Sequence, residues 1–167
     1  CRELRKWSEY FPRPMRMHIN LSSKFVQAGN IDAVAQALAR HSLNGNAVCL
    51  EITETAVITD MSTARRNVMA LQGLGLSVGL DDFGTGYSSL NHLVDFPIDL
   101  LKIDRKFVDG IGSDPASQVI VEAVSTMARR LGNDVVAEGV EPETQRDFVY
   151  RLGCKFAQGY LFGKPAS

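Results

Sequence analysis

A short apolar run ending in a polar or acidic residue recurs along this chain roughly every twenty to thirty-five residues, with a helical stripe between one run and the next. Met17-His18-Ile19 leads into Asn20, Ala47-Val48-Cys49-Leu50 into Glu51, and Leu76-Ser77-Val78-Gly79-Leu80 into Asp81 and Asp82. Ile98-Asp99-Leu100-Leu101 leads into Lys102 and Asp104, Val135-Val136-Ala137 into Glu138, and Cys154-Lys155-Phe156-Ala157 into Gln158. Such alternation makes the strands parallel, because each helix returns the chain to the same end of the sheet. The polar termini therefore share the carboxyl face, where parallel sheets bind their ligands.

The stripes between the runs carry start and stop signals. Leu4, Trp7 and Phe11 form the first stripe, and Asn30 precedes a helix carrying Ile31, Val34, Ala35 and Leu38. Asp60 or Ser62 starts one with Ala64, Val68 and Leu71 that stops near Gly73. Asp114-Pro115 opens a helix with Ile120, Val124, Met127 and Leu131 on one face, and Glu141-Pro142 opens another with Phe148, Val149 and Leu152 inward and Gly153 at its end. These stripes read as core faces. A doubly wound sheet and a closed barrel both fit the alternation. The barrel is favoured because polar residues end every run, whereas an open sheet concentrates its site at one switch point. Neither GxGxxG nor GxxxxGK[ST] occurs, which removes the usual nucleotide-binding folds.

With 167 residues the chain is long enough for one domain with a substantial core. Its formal net charge of −1 leaves no basic surface on the scale of a DNA or RNA polymer, and Arg65-Arg66 and Arg129-Arg130 read as solvated pairs. The apolar runs are too short to span a bilayer. Cys1, Cys49 and Cys154 match no zinc spacing and suit free thiols in a reducing, cytoplasmic compartment. His18, His41 and His92 also lack a metal-ligand spacing and read as structural.

The chemistry concentrates in Gly79-Leu80-Asp81-Asp82-Phe83-Gly84-Thr85-Gly86-Tyr87-Ser88-Ser89. Adjacent carboxylates repel one another and resist desolvation unless a cation neutralises them, and oxygen-only donors favour hard ions. Taken alone, the pair fits a solvated turn or a helix cap as well as a metal site. Asn20 equally fits a turn or cap, Glu51 a salt bridge, and Lys102 a neutraliser of Asp104 or of the acidic pair. Glu138 beside Gly139 fits a turn, and Gln158 before Gly159 plain backbone satisfaction.

Over essentially its whole length the sequence resembles the EAL domain, the bacterial phosphodiesterase that linearises cyclic di-GMP. INLSS, LEITET, GLDDFGTGYSSL, LKIDRKFV, VVAEGVE and QGYLFGKP stand in that family's order and approximate spacing. The resemblance implies an α/β fold, a TIM-like (β/α)8 barrel of the EAL type that is incomplete here, at about six βα units. Residues 1–167 are then a single domain fragment, running from the helix before the third barrel strand to the end of the barrel. The first two strands, with the Glu-Ala-Leu segment, one metal-binding glutamate and a substrate-contacting arginine, are expected to precede Cys1.

The resemblance further implies metal ligands at Asn20, Glu51, Asp81, Asp82 and Glu138, with Asp81 bridging two Mg2+ or Mn2+ ions and Ca2+ inhibitory. Lys102, Glu138 and Glu54 are the implied catalytic residues, Lys102 holding or polarising the attacking water and Glu54 bracing the loop over residues 83–89. Gln158, Glu141 and Asp104 are implied on the substrate side. The implied activity is hydrolysis of cyclic di-GMP to linear pGpG in second-messenger signalling, and the alternative is a non-catalytic cyclic di-GMP receptor or relay module. Cyclic di-GMP is thus the expected partner, with a homodimer formed through open strand edges as a further expectation. Sensory or GGDEF domains are expected in a cytoplasmic parent protein, which other domains could anchor to a membrane.

Overall fold

The computed structural model describes residues 3–5, 15–84 and 96–164. Trp7, Phe11, Cys1, His92 and residues 85–89 of the acidic-pair loop lie outside them. The chain forms two compact units, Cys1–Gly79 with Phe96–Ile98, and Leu80–Asp95 with Asp99–Ser167.

In the first unit, β1 (Met17–Asn20), β2 (Val48–Thr53) and residues 77–79 of β3 (Ser77–Phe83) follow one another in sequence order. β1 and β2 are parallel, with Met17 opposite Val48 and Asn20 opposite Glu51. Val48 and Leu50 join a core cluster with Leu4, Leu38, Leu71 and Leu76, and Met17 and Ile19 pack against it. Because side chains alternate along a strand, His18, Asn20, Cys49 and Glu51 face the other way. Among the described residues, α1 (Ser23–Ala28), α2 (Ile31–Arg40), α3 (Glu54–Ile58) and α4 (Met61–Gly73) accompany these strands. α4 buries Ala64, Val68 and Leu71, the expected stripe, and Asp60 caps it by accepting the Thr63 N–H at 3.1 Å. α2 follows Asn30 as expected, although the Asn30 side chain makes no cap bond. α1 and α3 are absent from the sequence reading, since six and five residues are too few for a helical period to register.

The second unit holds residues 80–83 of β3, then β4 (Leu100–Ile103), β5 (Asp134–Glu138) and β6 (Phe156–Gln158), again in sequence order. β4, β5 and β6 run parallel, with Lys102 opposite Val136 and Glu138 opposite Gln158. Neither unit contains the reversal of strand order that marks a doubly wound sheet, and unbroken order is what an arc of a βα barrel needs. Helices α5 (Arg105–Asp109), α6 (Pro115–Arg130) and α7 (Glu143–Arg151) complete it. Asp114 caps α6 as expected, accepting from the N–H groups of Ala116 and Ser117 with Pro115 in the first turn. The inward face of α6 differs from the expected one: Ser117, Val121, Val124, Ser125 and Ala128 are buried, while Leu131 sits at the C-cap and is 39% exposed. The helix ends before the stripe does. The acidic pair also differs in place, since β3 continues through Asp81, Asp82 and Phe83. No helix among the described residues is long and apolar enough to cross a membrane.

Candidate active site

In the second unit the register of β4 against β5 sets Lys102 beside Val136, so Glu138 is the next residue of β5 on the same face. Lys102 is only 5% exposed, and its Nζ lies 2.7 Å from Glu138 Oε1 and 3.1 Å from Asp81 Oδ1. An ammonium so far from water persists because carboxylates compensate it. Asp82 follows with a φ of 56°, a left-handed backbone uncommon outside glycine, and its N–H donates to Asp81 Oδ1 at 3.0 Å. That bond orients the Asp81 carboxylate.

Lost hydration pushes the Asp82 carboxyl above its ordinary pKa, repulsion from Asp81 and Asp104 adds to the rise, and Lys102 offsets part of it. Asp104 itself caps α5, accepting the Lys106 N–H at 2.7 Å. Carboxylates outnumber the ammonium in this neighbourhood. The surplus negative charge and the oxygen-only donors therefore suit a hard divalent cation. Among the described residues no group of three or more His, Cys, Asp or Glu side chains is already gathered as a metal cage.

In the first unit Asn20 and Glu51 are register partners at the ends of β1 and β2. Glu51 is 5% exposed and its Oε1 lies 2.7 Å from His18 Nδ1. An ionised carboxylate only accepts, so the imidazole N–H donates. His18 thus touches a candidate site residue, a contact that its structural reading did not specify. Its position two residues before Asn20, on the same strand face, was the available signal. Glu54 opens α3 and is buried, and neither of its carboxylate oxygens has a hydrogen-bond partner among the described residues.

Glu141 and Gln158, expected on the substrate side, belong to the second unit. Glu141 Oε1 accepts from Arg105 Nη2 at 2.7 Å, and its N–H donates to Gln145 Oε1 at 2.9 Å. Gln158 ends β6 opposite Glu138, and its carbonyl accepts the Val140 N–H at 3.0 Å. Arg105 was not singled out in the sequence, although it directly follows Asp104 in LKIDRKFV.

The model of the EAL domain family matches residues 1–165. MucR of Pseudomonas aeruginosa, a bifunctional diguanylate cyclase/cyclic di-GMP phosphodiesterase, is 40% identical over 166 residues, which are 99% of this chain and 24% of that protein. RocR of the same organism, a cyclic di-GMP phosphodiesterase, is 41% identical over 138 residues, 83% of this chain and 34% of RocR. This chain thus spans about a quarter to a third of the length of these two relatives. The MucR phosphodiesterase in complex with c-di-GMP superposes with a TM-score of 0.92 at 40% identity, over 99% of this chain and 67% of that one. Klebsiella pneumoniae BlrP1 in its manganese/cyclic-diGMP complex gives a TM-score of 0.87 at 31% identity, over 98% and 42%.

Proposed function

The chain belongs to the EAL domain family, and on that premise we propose that it is a divalent-cation-dependent phosphodiesterase that opens cyclic di-GMP to linear pGpG. The observation that carries this reading is the buried Lys102 ammonium in contact with Asp81 and Glu138. A phosphodiester is an anion with a poor leaving group, so its hydrolysis needs positive charge near both the attacking and the departing oxygen. Asn20, Glu51, Asp81, Asp82 and Glu138 would hold Mg2+ or Mn2+ through oxygen atoms. When bound, such ions acidify water and screen phosphate charge.

Lys102 adds a fixed positive charge, which holds the attacking water and stabilises the charge growing on the phosphoryl oxygens. Asp81 and Glu138 aim that ammonium, and the Asp82 N–H aims Asp81 in turn. Glu138 would pass from partner of Lys102 to ligand of a cation. Glu54 keeps its place among the proposed catalytic residues because it is buried, and a carboxylate with no donor among the described residues is costly to keep there. Gln158, Glu141 and Asp104 are the residues proposed for the substrate side.

The MucR complex with c-di-GMP and the BlrP1 complexes with manganese or calcium support the choice of substrate and of a divalent ion. The proposal includes a larger cytoplasmic parent with cyclase or sensory domains. The test is chromatography of cyclic di-GMP after incubation of the intact protein with Mn2+ or Mg2+. Formation of pGpG supports hydrolysis. Tight binding of cyclic di-GMP without product under both ions would favour the receptor or relay reading instead.

A further inference from the structure

The segment from β5 into α7 reads Glu138-Gly139-Val140-Glu141-Pro142 and makes a sharp turn, with Gly139 at a φ of 73°. A Cβ on Gly139 would lie 2.3 Å from Arg105 Cγ and 2.8 Å from Arg105 Cβ and Cδ. The Arg105 stem therefore lies against the bare glycine backbone. Beyond the stem, Arg105 Nη2 donates to Glu141 Oε1 at 2.7 Å and Nε to Asp109 Oδ2 at 3.1 Å. The guanidinium carbon stands 6.0 Å from the centre of the Tyr160 ring. One side chain from α5 thus touches both sides of the turn, its own helix, and the segment after β6.

We infer that Arg105 is a positioning residue that holds the turn after β5, and through it fixes the direction of the Glu138 carboxylate toward Lys102. Backbone bonds tie the middle of the turn, since the Val140 N–H donates to Gln158 O and the Val140 carbonyl accepts from Leu161 N–H. On either side, Gly139 and the Glu141 side chain rest on Arg105, while the Glu141 N–H donates to Gln145 Oε1. Exposed ion pairs are weak one at a time. Here two pairs and a ring contact all depend on a single planar fork, which a lysine cannot reproduce, and a close-packed stem carries that fork. Glu138 adjoins the turn directly, so a turn released from Arg105 lets that carboxylate swing away from the 2.7 Å contact with Lys102.

The inference rests on the proposed phosphodiesterase for its kinetic readout, and two other readouts do not need turnover. In the intact protein, Arg105→Met keeps the stem and removes the fork, while Arg105→Lys keeps a charge. Amide exchange at residues 139–141 is expected to speed up in Arg105→Met, with the melting temperature close to that of the wild type. Mn2+ affinity, followed by the paramagnetic resonance of the free ion, is expected to fall about tenfold, as for other residues that support a metal ligand. With cyclic di-GMP, kcat should fall by about the same factor and KM should change less, with Arg105→Lys intermediate. Glu141→Gln, which loosens one arm only, should shift exchange in the same direction by less, and it decides the question if Arg105→Met does not fold. Unchanged exchange in the turn in both Arg105→Met and Glu141→Gln, or Mn2+ affinity and kcat within about twofold of wild type in Arg105→Met, overturns the inference. A wild-type protein that binds no Mn2+ and makes no pGpG overturns the proposed function instead, and the exchange data still judge Arg105.

Discussion

Lys102 draws two carboxylates onto one buried nitrogen, so its removal acts on charge before it acts on shape. On the proposed function, Lys102→Met should lower turnover of cyclic di-GMP about a hundredfold or more, the scale of losing one electrostatic stabiliser of the transition state. Mn2+ affinity should fall far less than turnover in the same variant, because every proposed ligand keeps its place in the sequence while only the shared cation of Asp81 and Glu138 is lost. Kinetics together with a Mn2+ titration separate the two, and affinity collapsing along with turnover would make Lys102 a structural prop. Gly45 offers a contrast of pure packing: a Cβ there would meet Leu74 O at 2.2 Å and the Gly75 carbonyl carbon at 2.8 Å, both backbone atoms. Gly45→Ala should cost about 1–3 kcal/mol by denaturant unfolding, the usual range for overpacking. At this scale Asp81, Lys102 and Glu138 were legible because each ends an apolar run. His18 and Arg105 were not, because the contact of one depends on strand register and that of the other on a turn, and neither leaves a local pattern.

At the scale of elements, caps were the most readable signal and strand starts the least. Asp114-Pro115 and Asp60 mark helix starts by side-chain chemistry confined to a few residues. β4 and β6 begin at Leu100 and Phe156, two residues later than their apolar runs, because a parallel strand begins where a ladder partner exists. The Asp114 carboxyl is held below its ordinary value of 3.8, first by the Ser117 hydroxyl and then by the N–H groups of Ser117 and Ala116. A carboxylate with a depressed folded pKa contributes stability that is fully present above the unfolded value and lost as pH falls through the folded one. Asp114→Asn should therefore melt below wild type near neutral pH, with the gap narrowing once pH drops below about 3 to 4. Melting curves across that range test this, and a gap constant into strong acid would mean that the carboxylate's charge plays no part.

For the molecule as a whole, strand order was legible and the division into two compact units was not, since the boundary at Gly79 falls inside β3, where the sequence carries no linker or shift of composition. The pairing of Lys102 with Asp81 and Glu138 has a consequence for the order in which the protein is put together. A carboxylate cage with no cation of its own would resist collapse until an ion arrived, as in small domains that unfold when their metal is removed. On the proposed function, Lys102 already offsets Asp81 and Glu138 without an ion, so folding should not have to wait for one. Prolonged chelation should therefore leave the far-ultraviolet circular dichroism and the cooperative melt intact while abolishing the proposed pGpG formation, and loss of the melt on chelation would contradict the idea. Protein made in metal-starved cells should accordingly be recovered folded and silent, and wake in the tube when Mn2+ is added.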